Sequence, residues 1–252
     1  SITADSKVLE PAIYLNNPPD YPKKSSNYLF AFVMAIFIPL LCILLIELLN
    51  DKIISSIDIK RRTDIPIISG LGKNYSGSSL LFDQNPKSLV FEGFRGLRTN
   101  LDFIELNQKN KTIMVTSSTS GEGKTYISEN LAIAYAVSNK RTIVIGADLR
   151  RPRLYKDFNK HAKYGISNYL ENSKLKIEDI ILESDEKNLD LIYSGYKPER
   201  PAELFATDRF LELIDKLKLL YDIIIIDTPP VGLVADALII SKSVDINLFV
   251  VR

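Results

Sequence analysis

The segment SSTSGEGKTYISENLA, from Ser117 to Ala132, limits the possible fold of this chain more than any other stretch. An apolar β-branched run precedes it and a helical pattern follows it, so its glycines stand in a turn between a strand and a helix. Gly121 and Gly123 allow backbone N–H groups to approach an anion, and the start of the next helix favours negative charge. This is the layout of a P-loop, in which Lys124 contacts nucleotide phosphates and the Thr125 hydroxyl contacts Mg²⁺.

Two more candidate strands end in acidic residues. The run YDIIIIDTPP ends its apolar part at Asp227, and TIVIGADLRRPRL presents Asp148 and then Arg150. Open parallel sheets bind ligands at the carboxyl ends of their strands, so both carboxylates are expected beside the Gly-rich turn. Each signal alone also fits an ordinary turn, and Ser118 stands where the common P-loop pattern has its first glycine. The three signals together predict a site for ATP and Mg²⁺.

Apolar runs and helical patterns alternate along the second half of the chain. The candidate strands are TIMVT, TIVIGA, LDLIYS, YDIIIID and INLFVV, and the clearest helical patterns cover residues 125–138 and 202–220. Continuous apolar strands that alternate with helices are typical of a parallel sheet covered on both faces. We therefore predict an α/β fold of the P-loop NTPase class, with a mostly parallel sheet and helices on both faces.

A charge-free run of 19 residues, from Tyr28 to Ile46, lies near the start of the chain. At 1.5 Å per residue, a helix of this length roughly spans a hydrocarbon core of about 30 Å. The alternative is a buried core helix, but core helices of soluble domains seldom lack a polar face over five turns. Pro39 is compatible with either, because proline is tolerated in membrane helices. The sequence predicts one transmembrane helix.

The position of this helix suggests how the chain is organised. Basic residues flank it on both sides and favour a cytoplasmic carboxyl side only weakly, but a nucleotide-dependent domain needs cytosolic nucleotide. The chain starts at Ser1 and stops within the apolar run NLFVVR, so we expect a fragment truncated at both ends. The predicted parts are an extracytoplasmic juxtamembrane segment (1–26), the transmembrane helix (27–49), a cytoplasmic linker (50–87) and the P-loop domain (88–252).

Composition excludes several other functions. The formal net charge is +1, from 32 basic and 31 acidic residues, so nucleic acid is not an expected partner. One cysteine, Cys42, cannot form an internal disulfide, and one histidine, His161, cannot supply a His-based metal cluster or triad. The basic run Arg150, Arg151 and Arg153 either contacts nucleotide phosphate or faces solvent, and the sequence does not separate these readings.

The start of the domain, SLVFEGFRGLRTNLDFIEL, has helical periodicity. Its apolar side chains recur every three or four residues and define one face: Val90, Phe94, Leu97, Leu101 and Ile104. Glu92, Arg95 and Arg98 lie roughly opposite this stripe. By composition alone, these three residues fit an ordinary solvated face with i,i+3 pairing.

The combination of motifs resembles the bacterial tyrosine kinases of capsule and exopolysaccharide synthesis, over almost the whole chain. The matching parts are the Gly-rich turn, VIGADLRRP and IIIIDTPP, placed after a membrane helix and an EGFRGLR helix. In that family these motifs are the Walker A, Walker A′ and Walker B elements, on a fold shared with partitioning and cell-division ATPases. The segment GYKPERPAEL is similar to the family's Pro-rich segment before a helix.

The resemblance implies roles for individual residues. Lys124, Asp148 and Asp227 are the implied catalytic residues, and Thr125, Asp148 and Asp227 the implied metal ligands. The implied nucleotide-binding residues are Ser120, Gly121, Glu122, Gly123, Lys124, Thr125, Tyr126 and Arg150. The family's E-x-x-R-x-x-R oligomerisation motif maps onto Glu92, Arg95 and Arg98 and implies a homo-oligomeric ring.

Two departures from the family pattern stand out. The Walker A′ motif usually has two aspartates, whereas this chain has Gly146 at the first position and keeps Asp148 alone. This substitution bears on the metal geometry and the reaction rate. The family's tyrosine cluster, which accepts phosphate, follows the domain, and this chain stops before any such tail. The fragment is therefore expected to need its tail for phosphorylation of itself.

The function implied by the resemblance is that of a membrane-anchored tyrosine autokinase. It would transfer the γ-phosphate of MgATP to tyrosines of neighbouring subunits and regulate capsule or exopolysaccharide polymerisation and export. Implied partners are the lipid bilayer of the bacterial inner membrane, export and polymerisation proteins, and a cognate tyrosine phosphatase. Two rivals are a switch ATPase like those of partitioning and cell division, and a scaffold that nucleotide merely stabilises.

Overall fold

The computed structural model describes residues 23–49, 53, 55–72, 74, 88–104, 110–151 and 162–252. Contacts divide the chain into two compact units, and the boundary falls directly before Ser55. Most of the predicted extracytoplasmic segment, residues 1–22, lies outside the described residues, as do Arg153 and His161.

The first unit contains one long helix, α1, at Lys24–Leu48. Its 25 residues have a mean hydropathy of 3.1 in their most apolar window, none of which is buried inside the protein. Pro39 lies within the helix and Cys42 is exposed on it. By length and composition alone, α1 is able to cross a membrane, and in the described part of the chain nothing covers it as a core would.

The second unit is built on a six-stranded sheet with the order β3-β4-β2-β5-β1-β6. The strands β1, β2, β4, β5 and β6 are parallel, and β3 pairs with β4 in the antiparallel direction. The strand bounds are Lys111–Ser117 (β1), Thr142–Gly146 (β2), Ile181–Glu183 (β3), Leu189–Ile192 (β4), Ile223–Asp227 (β5) and Ile246–Val250 (β6). This confirms the predicted mostly parallel sheet, to which the structure adds the short edge strand β3.

Two helices of this unit precede β1, and the others lie in the connections between the strands. Their bounds are Ser56–Arg62 (α2), Leu89–Ile104 (α3), Lys124–Ala136 (α4), Ile166–Glu171 (α5), Pro201–Phe205 (α6), Asp208–Leu220 (α7) and Asp236–Ile240 (α8). The single helix predicted over residues 202–220 is wrong, because the structure has α6 and α7 instead. The backbone of Thr207 is extended there, and its carbonyl accepts a hydrogen bond from Phe210 N–H, so a new helix starts at this residue.

Two apolar clusters cover the two faces of the sheet. One consists of α3 and α4 side chains against the strands, with Phe94 and Leu131 among its fully buried members. The other consists of α5 to α8 side chains, with Phe210 and Leu213 among them. At about 25 cal/mol per Å² of buried apolar surface, such clusters are the main stabilising term of the fold. The sheet is therefore held rigidly, and its strand ends have fixed positions.

The helix α3 buries a slightly different stripe from the predicted one. Phe91, Phe94, Leu97 and Leu101 are buried, whereas Val90 is partly buried and Ile104 is 49% exposed. Phe91 belongs to the buried face because it lies three residues before Phe94 on the helix.

Part of the predicted linker packs against the domain. Ile68 and Leu71 contact the α3 and α4 cluster, and Asn100 Nδ2 donates a hydrogen bond of 2.7 Å to the Ile68 carbonyl. The segment from Ile68 to Leu71 therefore packs on α3 and α4. The predicted bounds of linker and domain stay a prediction, to which these contacts add a packed portion of the linker.

Candidate active site

The Gly-rich turn joins β1 to α4 at the carboxyl edge of the sheet. Gly121 and Gly123 have φ angles of 92° and 97°, which L-residues with a side chain rarely adopt. A Cβ at either position would meet nothing within 4 Å, so the backbone conformation, not space, requires glycine. The helix then begins at Lys124, where its first N–H groups lack partners within the helix. The turn thus presents backbone donors, as the P-loop prediction requires.

The Lys124 side chain lies over this turn. Its ammonium donates to Ser117 Oγ at 2.8 Å and to the Thr119 carbonyl at 3.3 Å, and the residue is only 8% exposed. Burying a cation is costly unless hydrogen-bond acceptors or a counter-charge are near. The loop supplies those acceptors, and an anion within the turn would be a stronger one. The position suits contact with a phosphate.

Two contacts hold the loop in place, and the sequence pattern predicted neither. Glu122 Oε2 accepts a hydrogen bond of 2.9 Å from Thr119 N–H within the loop. The segment after β5 packs on the loop from outside, with Val231 N–H donating to the Ser117 carbonyl at 2.9 Å. A Cβ on Gly232 would lie 2.5 Å from the Ser118 carbonyl oxygen. This close approach leaves no room for a side chain at position 232. In the sequence, the only sign of the contact is that a glycine follows the TPPV turn.

Thr125 and Asp227 meet directly. The Thr125 hydroxyl donates a hydrogen bond of 2.7 Å to Asp227 Oδ2, although 102 residues separate them. They meet because β5 lies beside β1, with Asp227 opposite Val115 in the register. Asp227 is 4% exposed. The structure thus brings together two of the three predicted metal ligands.

The donor set fits Mg²⁺. A hydroxyl and a carboxylate are the hard oxygen ligands that this ion prefers, and it usually takes few protein ligands besides phosphates and waters. Within the described ranges, no group of three or more His, Cys, Asp or Glu residues is placed to hold a metal ion. One hydroxyl and one carboxylate leave coordination positions open for phosphate oxygens and water, so the site suits an ion that arrives with a nucleotide.

Asp148 lies two residues beyond the end of β2. Gly146 is opposite Asp227 in the register of β2 and β5, and Ala147 N–H donates to the Asp227 carbonyl at 2.8 Å. Asp148 is half-buried, and its Oδ1 accepts a hydrogen bond of 3.0 Å from Arg151 N–H. Position 146 is thus the one that faces Asp227, and here it carries no carboxylate.

Arg150 is bound to Asp236, a residue that the sequence analysis missed. Its Nε and Nη2 donate to the two Asp236 oxygens at 2.8 and 2.9 Å. The Asp236 side chain is fully buried, whereas that of Arg150 is 42% exposed. The hydrogen bonds to Asp236 raise the pKa of the Arg150 guanidinium, with Asp236 and Asp148 adding charge attraction. The pair ties the loop after β2 to the start of α8.

The remaining predicted nucleotide-binding residues differ in their surroundings. Ser120 is exposed in the loop. The Tyr126 ring packs edge-on against Phe94 at 5.7 Å between centroids, and burial raises the pKa of its hydroxyl. Its side chain therefore supports the interface of α3 and α4, while its backbone N–H belongs to the first turn of α4.

Glu92, Arg95 and Arg98 lie along α3 but make different contacts. Arg95 Nη1 donates to Glu92 Oε1 at 2.8 Å, and its guanidinium stacks over the Phe91 ring at 5.4 Å. Arg98 instead donates to the Ala134 carbonyl near the end of α4 at 2.9 Å. The first pair is exposed, whereas Arg98 is half-buried and contacts the end of the helix that begins at Lys124.

The parallel sheet, the glycine turn and the Thr125–Asp227 contact define a P-loop nucleotide-binding domain. A protein-family model described as an AAA domain matches residues 110–250, more than half of the chain. This agreement supports nucleotide binding at the carboxyl edge of the sheet.

Comparison with similar proteins shows which kind of P-loop protein this chain resembles. A putative tyrosine-protein kinase in the cps region of Klebsiella pneumoniae is 39% identical over 69% of this chain, which spans 24% of that relative. Tyrosine-protein kinase YwqD of Bacillus subtilis is 37% identical over 66% of this chain and 70% of its own length. The solved BceF tyrosine kinase domain is 31% identical, with a TM-score of 0.71 over 80% of this chain and 87% of that one.

These similarities show that the chain belongs to the bacterial tyrosine-protein kinases. The family assignment rests on the Bacillus subtilis relative, 70% of whose length is covered. Other relatives are much longer: the chain spans only 33% of tyrosine-protein kinase ptk of Acinetobacter johnsonii.

Proposed function

We propose that this chain is the membrane-anchored kinase part of a tyrosine autokinase that transfers the γ-phosphate of ATP to tyrosines of neighbouring subunits. The observation that carries the proposal is the hydrogen bond of 2.7 Å between Thr125 and Asp227, next to a buried Lys124, on the fold of a tyrosine kinase domain. A loop that was only a turn would not need a buried lysine and an acidic strand end beside it.

ATP would lie with its phosphates in the glycine turn. The backbone N–H groups from Gly121 to Thr125 and the Lys124 ammonium would hold the β- and γ-phosphates, helped by the positive end of the α4 dipole. Ser120 and Glu122 would shape the turn, since Glu122 already binds Thr119 N–H. Positioning and charge stabilisation are the main catalytic effects in phosphoryl transfer.

Thr125 and Asp227 would hold Mg²⁺, directly or through water, with Asp148 as a further ligand. When bound, Mg²⁺ supplies positive charge that offsets the negative charge on the transferring phosphoryl group. Gly146 leaves the position facing Asp227 without a charge, so fewer carboxylates surround the ion than in a site with two Walker A′ aspartates. We expect Asp227 to be the carboxylate that contributes most to Mg²⁺ binding.

Asp148 would act on the acceptor. The tyrosine oxygen forms a bond to the γ-phosphorus while the bond from that phosphorus to the β,γ-bridging oxygen breaks, and ADP leaves. The tyrosine proton passes to the Asp148 carboxylate. Arg150 would hold the loop that carries Asp148 through its ion pair with Asp236.

Assembly and location follow from the other parts of the chain. Glu92, Arg95 and Arg98 would contact a neighbouring subunit in a ring, so that each subunit presents tyrosines to the next site. The helix α1 would anchor the chain in the bacterial inner membrane, with the kinase domain in the cytoplasm. Export and polymerisation proteins and a cognate phosphatase would be partners, and nucleic acid would not.

The test is phosphotyrosine formation by a full-length version with its tail, given MgATP. Lys124→Met should abolish the signal, whereas Lys140→Met, at an exposed site beyond the end of α4, should leave it unchanged. ATP hydrolysis without phosphotyrosine in the unaltered protein would instead identify a switch ATPase. Tight MgATP binding without turnover would identify a nucleotide-stabilised scaffold.

A further inference from the structure

The short helix α2 begins only a few residues after the apolar helix α1 ends. Its start is fixed by a capping box: Ser55 Oγ accepts a hydrogen bond of 3.2 Å from Ile57 N–H, and Asp58 Oδ2 accepts one of 2.9 Å from Ser55 N–H. Two reciprocal caps define a helix start well, even for a helix of one or two turns. The orientation of its side chains around the axis is therefore well defined.

One face of α2 combines an apolar residue with two cations. Ile57, Lys60 and Arg61 fall within an arc of about 100° on a helical wheel, with Ile57 between the other two. All three are exposed, Ile57 to 58% of its surface. An isoleucine left in water between basic residues is the pattern of helices that lie in a membrane interface.

Exposed apolar residues continue on both sides of α2. Ile53 before it is 41% exposed, and Ile65 after it is 70% exposed. The packed part of the segment begins later, at Ile68 and Leu71. Ile53, Ile57 and Ile65 are therefore exposed in this stretch, whereas Ile59, on another side of α2, is half-buried.

The tether between α1 and this face is short. Seven residues lie between Leu49 and Ile57, and a chain extends by at most about 3.3–3.6 Å per residue, so the reach of the tether is limited to roughly 30 Å. A tether this short gives a high effective concentration at a bilayer that α1 spans. A pair of cations that would bind anionic lipid weakly from solution is then sufficient.

We propose that Ile57, Lys60 and Arg61 dock on anionic phospholipid headgroups of the leaflet in which α1 ends. The inference rests on the membrane anchoring proposed above and adds a lipid-binding surface to it. Charge complementarity favours lipid over nucleic acid, because the basic excess is local and the whole chain has a net charge of only +1. Docking would fix the start of the segment that leads to Ile68 and Leu71, where the chain packs on the kinase domain.

The chain has no tryptophan, which makes the test direct. Ile57→Trp places a single indole on the proposed face of the full chain, reconstituted into vesicles of phosphatidylcholine alone or with a quarter phosphatidylglycerol. We expect a blue-shifted emission and quenching by brominated lipid only in the anionic vesicles. Adding Lys60→Gln and Arg61→Gln, or 0.5 M NaCl, should remove most of the shift, because exposed charges are screened.

A matched control removes the same charge elsewhere. Lys187→Gln with Lys197→Gln, at two exposed sites of the kinase domain, should leave the emission shift intact. An emission that is the same in both vesicle types would overturn the proposal. So would a shift that depends on the protein-to-lipid ratio, since that indicates contact between copies of the chain.

Flotation in alkaline carbonate separates docking from anchoring. If every variant floats with the vesicles while the emission ignores lipid charge, α1 anchors the chain and only the docking proposal fails. If the chain does not float, α1 does not anchor it in the membrane, and both the anchoring and the docking proposals are wrong.

Discussion

The two loops that meet at the candidate site are held in very different ways. The phosphate-binding loop, residues 117–125, is fixed by contacts from inside through Glu122 and Lys124, and from outside through Gly232. The backbone of the loop after β2, residues 146–151, is anchored by Ala147 and Leu149, which are buried in the core, but its exposed arginine is held by a single ion pair, Arg150 with Asp236. The first loop is therefore fixed mainly by residues of its own segment, whereas the placement of Arg150 beside Asp148 depends on a residue 86 positions away.

The largest effect is expected where the first loop is packed most closely. Gly232→Val would place a Cβ 2.5 Å from the Ser118 carbonyl oxygen, so the loop backbone must move. Since shifts of about 1 Å can cost two orders of magnitude at a catalytic centre, we expect at least a roughly tenfold loss of ATP affinity and a larger loss of transfer. Calorimetric titration with ATP measures the first effect.

A control for this variant is Gly70→Ala. A Cβ there would meet nothing within 4 Å, and the site is far along the chain from the loop. Its ATP affinity should match that of the unaltered chain. Unchanged affinity in Gly232→Val, with a normal circular dichroism spectrum, would mean that the loop is less constrained than its contacts indicate.

A smaller effect is expected from removing the ion pair of Arg150 with Asp236 in the loop after β2. Asp236→Asn keeps the shape but removes the buried charge that binds Arg150, at a stability cost of about 1–3 kcal/mol. If the pair positions Asp148, the rate constant kcat should fall about tenfold while the dissociation constant for ATP changes less than threefold. Transfer assays on the tail-bearing protein and ATP titrations give the two numbers.

The matched control removes an acidic residue whose arginine pair is looser. Asp222→Asn weakens a pair with the 60% exposed Arg141 side chain at 3.7 Å, and the asparagine oxygen can still accept the 2.8 Å hydrogen bond from Arg141 N–H, so kcat should change by less than twofold. If Arg150→Lys keeps the kcat of the unaltered protein, the two parallel hydrogen bonds from Arg150 to Asp236 are not required. Equal losses of ATP affinity and kcat would show that the pair serves the whole fold.

A carboxylate can also be added to the loop after β2, at the position that faces Asp227. Gly146→Asp would set a second carboxylate opposite Asp227, where two like charges repel without a cation between them. We expect a lower melting temperature without Mg²⁺ and a larger stabilisation by MgADP than in the unaltered chain, with half-saturation at several-fold less Mg²⁺. Thermal unfolding over a magnesium series measures this.

Gly146→Asn is the control of similar size without the charge. It should show any steric cost of filling the buried position but no added magnesium response. If both variants respond to Mg²⁺ alike, position 146 does not contribute to the metal site.

The sequence predicted the phosphate-binding half of the site better than the other half. A P-loop is a local motif, so Gly121, Gly123 and Lys124 could be read from adjacent residues, and Asp227 followed from its strand. Asp236 and Gly232 could not, because their roles depend on contacts with residues about 86 and 114 positions away in the chain. Such long-range contacts leave no periodic signal.

The fold shows the same division between local and long-range information. All five apolar runs became strands, and the three central ones, β1, β2 and β5, are buried on both faces, as their continuous apolar sequences predict. The edge strand β3 was missed because its apolar part is too short to stand out: Ile181 and Leu182 are only half-buried, and Glu183 is exposed. The break between α6 and α7 was missed because the apolar period continues across it while Thr207 stops the backbone.

The smallest expected effect concerns the far end of the P-loop helix. Arg98 donates to the Ala134 carbonyl, one of the last carbonyls of α4, which has no partner within the helix. Arg98→Gln should remove most of this contact, at a cost of about 1 kcal/mol, and lower the melting temperature by roughly 2–4 °C. Calorimetry on dissociated protein, in dilute solution, isolates this effect from assembly.

Arg95→Gln provides the comparison on the same helix face. Its exposed pair with Glu92 is worth about 0.2–0.5 kcal/mol, so its melting temperature should change by about 1 °C or less. If both arginines serve only the ring, the two variants will weaken assembly and melt alike when dissociated. A lower melting temperature for Arg98→Gln alone would mean that one residue of the predicted oligomerisation motif also supports the helix that carries Lys124, so that assembly and nucleotide binding share a side chain.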